Sequence, residues 1–415
     1  MDVRAMGVDF LDQGNVTSPR GYQAAGVVAG LKRSGAPDVA LLTSDVPAVA
    51  AAAFTSNRFP AAPVIYDREV LDRTAGIRAV YINSGNANAC TGPAGLTDAA
   101  RTAEHVAQCL GVPVDSVLVC STGRIGVPLP MDKIMAGVER AVAALAPDGG
   151  HAAAEAIMTT DTRPKEAAVK VQIEGCEVVI GGMAKGAGMI APRLRMHQNQ
   201  ATMLAYVTTD AAVSPAFLQD CLDRSLDASF NRITVDGDTS TNDTVILLAN
   251  GGAGNTPLDD LHPAADTFRE ALRELMGRLA REMVLDGEGV TRFVELCVSG
   301  ATSNDAARMA AEAIANSALC KTAWFGADPN WGRILCAAGY SGADLDPNRV
   351  SLDYGGVPIV QNGVDAGTPE ADQVAAIDKR EFRIDLDLGV GDGRWTIWTC
   401  DVTYEYVRIN ADYHT

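Results

Sequence analysis

Short runs of β-branched and other apolar residues recur along the chain, and segments with apolar residues at helical spacing separate them. Such runs predict β-strands, because β-branched side chains suit a pleated, half-buried backbone. Glycine is abundant and aromatic residues are few, which indicates many tight connections between elements. The predicted strands are residues 38–43, 78–83, 116–120, 168–173, 177–180, 206–209, 244–248, 292–298 and 396–406.

Alanine-rich segments between these strands predict helices, since their apolar positions repeat every three to four residues. The predicted helices are residues 97–110, 265–285 and 303–318. Ser303 is the predicted N-cap of the last one. Strands and helices interleave irregularly, and the sequence has no internal repeat. We therefore predict packed layers of sheet and helix rather than a regular doubly wound sheet.

Length and charge narrow the class of protein. The chain has 415 residues, and its 52 acidic and 34 basic residues give a net charge of −18 without a basic run. A nucleic-acid or membrane partner is therefore not expected. Apolar runs such as 48–54 are far shorter than the roughly 20 residues that span a bilayer. The first residues are acidic, unlike a signal peptide, so we expect a cytoplasmic protein.

Cysteine and histidine show no metal-ligand spacing. The nine cysteines occur singly, without a CxxC pair, and the five histidines form no HExxH motif. A zinc ribbon, a thioredoxin motif and a catalytic metal are therefore not expected.

The densest group of unusual residues is the segment 185–213, which opens with KGAGMIAP. Its glycines formally match a dinucleotide-binding fingerprint, which requires a helix to begin there and face a pyrophosphate. Pro192 would break that helix in its first turns. We therefore favour glycines that let the backbone pass close to a ligand or to another segment.

In the same segment, Ala201 and Thr202 precede an apolar, β-prone run. A small residue, a β-branched hydroxyl and a buried strand suit an N-terminal-nucleophile enzyme. There the hydroxyl attacks the preceding carbonyl, and cleavage frees an α-amine with a pKa of roughly 8 that acts as its base. The pattern also suits a threonine that simply begins a strand.

Three further polar segments are candidates for chemistry. The turn CSTGRIG at 120–126 either stabilises an oxyanion or is a plain turn. The segment DGDTSTND at 236–243 is typical of a turn with Asx hydrogen bonds, and its spacing does not match an EF-hand. In LDGEGVT, Glu288 lies between two glycines, where it either reaches a cationic ligand or belongs to an acidic surface turn.

Together these segments resemble the ornithine acetyltransferase family, also called the bifunctional glutamate N-acetyltransferase or ArgJ family. The resemblance runs over essentially the whole chain, from SPRGYQAAGVVAGLK to YVRINADYHT. The motifs that carry it are INSGNANACTG, STGRIGVPLPMDKI, IMTTDT, KGAGMIAP, ATMLAYVTTDA, VDGDTSTNDT, LDGEGVT and KTAWFGADPNWGRI.

The resemblance implies self-cleavage between Ala201 and Thr202, with Thr202 as the catalytic nucleophile. The products would be an α chain, residues 1–201, which holds the oxyanion segment, and a β chain, residues 202–415. Thr122 and Gly123 are the implied oxyanion pair. Lys185 suits a substrate carboxylate, and Glu288 suits a substrate amine. The implied substrate-binding residues are Thr159, Lys185, Thr202, Glu288, Asn410 and Thr415.

The fold implied is α/β, a layered αββα sandwich of the ArgJ/DmpA-like type. The α and β chains would stay together and form a heterotetramer of two α and two β chains. In the implied ping-pong reaction, N2-acetylornithine acetylates Thr202, ornithine leaves and glutamate takes the acetyl group. No cofactor is needed, because the acetyl group travels on the enzyme. Acetyl-coenzyme A is left open as a second donor.

Two positions depart from the family pattern. The interval between Pro192 and Ala201 is longer than usual by residues 195–200, and Arg124 stands where a small apolar residue is common. Other interpretations therefore stay open. They are an amidohydrolase or aminopeptidase, an acyltransferase of a specialised pathway, and an uncleaved, inactive homologue.

Overall fold

The computed structural model describes residues 8–74, 76–192, 194 and 203–412. It divides into two compact units. The first comprises the chain through Asn231 together with Asp238–Met283, and the second comprises Arg232–Gly237 and the chain from Val284 to His414. No Pro- or Ser-rich linker lies in the sequence where the chain passes from one unit to the other. In the described residues no helix is long and apolar enough to cross a membrane.

The first unit is built on a nine-stranded sheet with the order β1-β6-β7-β8-β9-β3-β4-β5, in which β2 also pairs with β3. Its strands are β1 (Asp9–Phe10), β2 (Tyr22–Val27), β3 (Val39–Phe54), β4 (Ile77–Asn86), β5 (Val117–Arg124), β6 (Lys165–Ile173), β7 (Cys176–Lys185), β8 (Leu204–Thr209) and β9 (Thr244–Ala249). Its helices are α1 (Ala62–Leu71), α2 (Gly92–Leu110), α3 (Met131–Ala143), α4 (Gly150–Ile157), α5 (Pro215–Ala228) and most of α6 (Ala265–Leu285).

The long strand β3 folds this sheet into two layers. Its first half pairs with β2 and β4, its second half pairs with β9, and the register shifts between Thr43 and Ala48. Apolar side chains from both halves then share one buried core, which includes Leu42 and Leu118 from one layer and Tyr206 from the other. Burial of this shared apolar surface holds the two layers face to face.

Helices cover the outer faces of both layers. Apolar residues of α2 and α3 pack with β3, β4 and β5 in a second buried cluster. On the other side, Leu279 of α6 lies so close to β7 that a Cβ on Gly182 would come within 2.9 Å of it. The Gln219 side chain of α5 accepts a hydrogen bond from the Ala52 amide at 3.2 Å. The predicted αββα layering is therefore confirmed.

The second unit has its own sheet, in the order β13-β12-β11-β14-β10-β15, with β10 and β14 parallel. Its elements are β10 (Phe293–Ala301), α7 (Asn304–Ala315), α8 (Ala318–Phe325), α9 (Trp331–Tyr340), β11 (Ser351–Tyr354), β12 (Val357–Gln361), β13 (Val364–Asp365), α10 (Glu370–Ile377), β14 (Glu381–Asp387), β15 (Gly393–Cys400) and α11 (Tyr404–Asp412). A separate buried apolar cluster holds this sheet to its helices.

Most elements expected from periodicity are present. Eight of the predicted strands fall within or largely overlap β3 to β10, and the predicted helix 265–285 coincides with α6. The Ser303 hydroxyl accepts a hydrogen bond from the Ala306 amide at 3.1 Å, so it caps α7 as predicted.

The predicted strand 396–406 is wrong in its second half, because β15 ends at Cys400 and α11 begins at Tyr404. The Asp401 carboxylate accepts the backbone N–H groups of Thr291 and Arg292, each at 3.0 Å, which ties the chain down at the end of the strand. Thr403 then caps α11 by accepting the Tyr406 amide at 3.2 Å. Short side-chain to backbone bonds of this kind end one element and start the next.

Candidate active site

The predicted oxyanion residues Thr122 and Gly123 lie at the end of β5, where it runs parallel to β4. Gly123 has a φ of +128°, and a Cβ there would lie 2.5 Å from the carbonyl carbon of Gly85 in β4. Any other residue would clash with β4, so the glycine is needed to let the two strands end side by side.

Lys185 ends β7 and is almost completely buried, with 3% of its surface exposed. Its ammonium donates a hydrogen bond to the Thr159 hydroxyl at 2.8 Å and a longer one to the Thr122 hydroxyl at 3.4 Å. The structure therefore brings together three residues that are far apart in sequence and that were all predicted to be functional.

The acid that organises this group was not predicted. The Asp161 carboxylate forms an ion pair with Lys165 at 2.6 Å, and both side chains are fully buried. It also accepts the backbone amides of Thr159 at 3.0 Å and Gly186 at 2.7 Å. Burial opposes its charge, yet the Lys165 and Lys185 ammonium groups hold the pKa of Asp161 well below its usual range. Asp161 therefore fixes the backbone beside both Thr159 and Lys185.

The polar segment before β9 supports the oxyanion turn from the other side. The Asn242 side-chain amide donates to the carbonyl of Ser121 at 2.8 Å and to that of Ala87 at 2.6 Å. The backbone N–H of Asn242 donates a hydrogen bond to the Ser240 hydroxyl at 3.1 Å. Residues 236–243 form bends and irregular backbone, and the contact of Asn242 with β5 was not predicted. The only feature of the sequence that pointed to this contact was the presence of polar residues such as Asn and Ser in the segment.

Beside it, Asp243 is a fully buried acid in a different setting. Neither carboxyl oxygen has a hydrogen-bond partner among the described residues, although Thr55 and Lys185 are near. Burial raises the pKa of Asp243 well above its usual value, and the nearby dipoles and the Lys185 charge offset this only in part. The pKa values of the two buried carboxyl groups are therefore shifted in opposite directions.

Two other predicted residues meet in the second unit. Glu288 is 7% exposed, and its carboxylate accepts a hydrogen bond from the Asn410 side-chain amide at 2.7 Å. Asn410 lies on α11 and is exposed. Glu288 therefore does not lie in a plain acidic surface turn.

The remaining predicted residues, Ala201, Thr202 and Thr415, lie outside the described residues, as does the segment 195–200. The description resumes at Met203, which is buried and whose carbonyl accepts the Thr244 amide at 3.0 Å. Leu204, the first residue of β8, is paired with Lys185 in the antiparallel β7–β8 ladder.

The dinucleotide-binding interpretation of the glycines is excluded. Residues 186–192 after β7 form bends and irregular backbone, and no helix begins there. In the same stretch, the backbone N–H of Gly186 donates a hydrogen bond to the Asp161 carboxylate. Within the described ranges, no group of three or more His, Cys, Asp or Glu side chains is arranged to hold a metal ion.

Comparison with known proteins gives one consistent result. The model of the ArgJ family matches residues 23–415. The arginine biosynthesis bifunctional protein ArgJ of Symbiobacterium thermophilum is 49% identical over 97% of this chain and 99% of its own length. That of Geobacter sulfurreducens is 50% identical over 95% of this chain and 99% of its own length.

A solved structure supports this result. A chain of the arginine biosynthesis bifunctional protein ArgJ from Bacillus halodurans is 42% identical, with a TM-score of 0.50. It is covered over 100% of its length but spans only 51% of this chain. A chain of ornithine acetyltransferase from Mycobacterium tuberculosis, solved with ornithine, is 49% identical with a TM-score of 0.43, over 45% of this chain and 100% of its own.

Proposed function

The chain belongs to the ArgJ family, and we propose that it transfers the acetyl group of N2-acetylornithine to glutamate in arginine biosynthesis. Its relatives of about 50% identity are named as bifunctional proteins of that pathway. The observation that carries the proposal is the buried Lys185 ammonium, which is bonded to the hydroxyls of Thr122 and Thr159. Lys185 is paired with the first residue of β8, the strand that follows Thr202 in the sequence. A cation suits a substrate carboxylate, and a hydroxyl beside Gly123 suits a developing oxyanion.

The proposed reaction starts with attack of the Thr202 hydroxyl oxygen on the acetyl carbonyl of N2-acetylornithine. The Thr202 α-amine takes the hydroxyl proton. The Thr122 hydroxyl and the Gly123 amide stabilise the oxyanion. The C–N bond then breaks, ornithine leaves with that proton on its amine, and the acetyl group remains as an ester on Thr202. The glutamate amine attacks this ester, which forms N-acetylglutamate and regenerates the hydroxyl.

Self-cleavage between Ala201 and Thr202 belongs to this proposal, since only cleavage creates the α-amine. The chain of the Bacillus halodurans relative, about half as long as this one and matched along its whole length, supports it. Cleavage here would fall inside the first unit, between the paired strands β7 and β8. The α and β chains would then share one sheet, which explains why they would stay together. We propose their heterotetramer as the working assembly, and the cytoplasm as its location.

Steady-state kinetics test the proposal. With N2-acetylornithine and glutamate varied together, double-reciprocal plots should be parallel, because the first product leaves before the second substrate binds. Intersecting lines would exclude the acyl-enzyme route. Release of acetate in place of N-acetylglutamate would indicate a hydrolase. A separate assay with acetyl-coenzyme A as the donor decides whether this chain also makes N-acetylglutamate from that donor.

Thr122→Ala should lower kcat by about a hundredfold, because it removes one oxyanion donor. Thr122→Ser keeps the hydroxyl and should retain most of the activity. The measurement is kcat and KM for both variants with saturating second substrate. A change confined to KM in Thr122→Ala would make Thr122 a ground-state contact instead.

A further inference from the structure

A second lysine is held beside the oxyanion turn by a buried acid. The Asp38 carboxylate, which is fully buried, accepts the backbone amides of Ala29 and Leu31 at 2.5 Å each and that of Lys32 at 3.0 Å. Three such bonds to one carboxylate fix the loop before β3. The backbone of Lys32 therefore has a set position.

The Lys32 side chain extends along the end of β4. A Cβ on Gly85 would lie 3.4 Å from the Lys32 Cγ, and Gly85 itself packs against Gly123. The Lys32 ammonium donates to the carbonyls of Pro37 at 2.5 Å and Ala156 at 3.3 Å. It forms no ion pair with any residue that the structure describes, and it is only half-buried.

Lys32 and Lys185 both reach the chain at the end of α4, since the Lys32 ammonium donates to the Ala156 carbonyl at 3.3 Å and the Lys185 ammonium to the Thr159 hydroxyl at 2.8 Å. Burial and the Lys185 ammonium lower the pKa of Lys32, Asp38 and Asp161 act in the opposite direction, and the net pKa is about 8. Both acids are engaged elsewhere, Asp38 with backbone amides and Asp161 with Lys165. Two ammonium groups therefore act on one region where nearby acids are already committed, which favours an anionic ligand.

The chemistry of the proposed substrates requires such a second cation. N2-acetylornithine has one carboxylate and a side-chain ammonium, whereas glutamate has a side-chain carboxylate at the corresponding end. If Lys185 binds the α-carboxylate common to both, glutamate leaves one carboxylate that still needs a partner. A carboxylate removed from water without a partner binds poorly.

We propose that Lys32 binds the side-chain carboxylate of the acceptor and so makes the enzyme specific for glutamate. This inference rests on the proposed function. It assigns Lys32 to the second half-reaction, and it predicts that Lys32 does not assist the first half-reaction.

The test compares Lys32→Gln with Arg33→Gln, which removes the same charge from the exposed neighbouring residue. Acetyl transfer is measured to glutamate and to glutamine, whose side chain is the neutral amide. In Lys32→Gln, KM for glutamate should rise roughly 10- to 100-fold, the range for loss of a charged hydrogen bond. The preference for glutamate over glutamine should fall by a similar factor. KM for N2-acetylornithine should not rise in Lys32→Gln, because that substrate has an ammonium in place of the carboxylate that Lys32 binds. In Arg33→Gln both KM values should change by less than about twofold.

An unchanged preference for glutamate over glutamine in folded Lys32→Gln would overturn the inference, as would an equal rise in KM for both substrates. Failure of the parent enzyme to acetylate glutamate would instead contradict the proposed function. Failure of the Lys32 inference and failure of the proposed function therefore give different results.

The unmodified enzyme gives a second test that does not depend on the folding of a variant. Glutarate, a dicarboxylate, and glutaramate, its monoamide, are compared as inhibitors competing with glutamate. Protonated Lys32 binds the extra carboxylate, so the advantage of glutarate should decline as the pH rises through about 8, the pKa of Lys32. The other charges facing Lys32, namely Asp38, Asp161 and Lys185, act on both inhibitors. A ratio of inhibition constants that stays constant from about pH 6.5 to 9 would contradict the proposal.

Discussion

Thr202→Ala should abolish both self-cleavage and acetyl transfer, with residual transfer below about one ten-thousandth of the parent rate. Both reactions need the same oxygen, first to attack the carbonyl of Ala201 and then to carry the acetyl group. Neither Lys185, which is buried and bonded to two hydroxyls, nor Thr122, which lacks an α-amine as base, can replace it. A denaturing gel and an assay of N-acetylglutamate formation measure the two losses.

Thr202→Ser is the matched variant, since it keeps a hydroxyl and a potential α-amine and should retain part of both activities. In the parent enzyme, N-terminal sequencing of the C-terminal chain should read Thr-Met-Leu-Ala-Tyr. A different first residue, or full transfer activity in an intact chain, would refute the amine base. An uncleaved, inactive parent would favour the inactive-homologue interpretation.

Asp161→Asn should destabilise the protein by about 3–5 kcal/mol, the usual cost of removing one partner from a buried ion pair. Lys165 would lose this carboxylate partner in the interior, since both side chains are fully buried in the parent. The backbone amides of Thr159 and Gly186 would also lose a charged acceptor. Chemical denaturation of parent and variant at neutral pH measures the difference in the free energy of unfolding.

The matched control is Asp243→Asn, which makes the same replacement of a carboxyl group by an amide at a second fully buried aspartate. Burial raises the pKa of Asp243 and so favours the neutral form of this carboxyl group, and the neutral amide should therefore cost no more than about 1 kcal/mol. Equal losses in the two variants would show that burial alone, rather than the Lys165 ion pair, sets the effect.

The pH dependence of stability has a defined sign for Asp161. Its pKa is lower in the folded protein than in the unfolded chain, so its contribution is fully present above the ordinary aspartate pKa of about 3.9 and is lost as the pH falls below it. The parent should therefore lose more stability than Asp161→Asn between about pH 5 and 3. Parallel losses would contradict the assignment of the charge to Asp161.

Elements whose signals are local could be predicted from the sequence. The helix at Ala265–Leu285 and the Ser303 cap follow from contacts between residues three or four positions apart, which a window of sequence contains. The layered α/β class followed from the alternation of such elements and from the motifs of the family. The motifs also named Thr122, Thr159 and Lys185 before their positions were known.

The surroundings of these residues depend on contacts between segments that are distant in sequence. The bond from Asn242 to the Ser121 carbonyl joins positions 121 residues apart, and nothing local distinguishes that asparagine from one in an ordinary turn. Asp161 and Asp243 are the same residue type, yet their pKa values shift in opposite directions, because the Lys165 and Lys185 ammonium groups outweigh burial at Asp161 whereas burial dominates at Asp243. Lys32 likewise reaches the site through the fold of its loop around Asp38. Burial and charge pairing depend on the whole fold, and these two quantities set the pKa of each group.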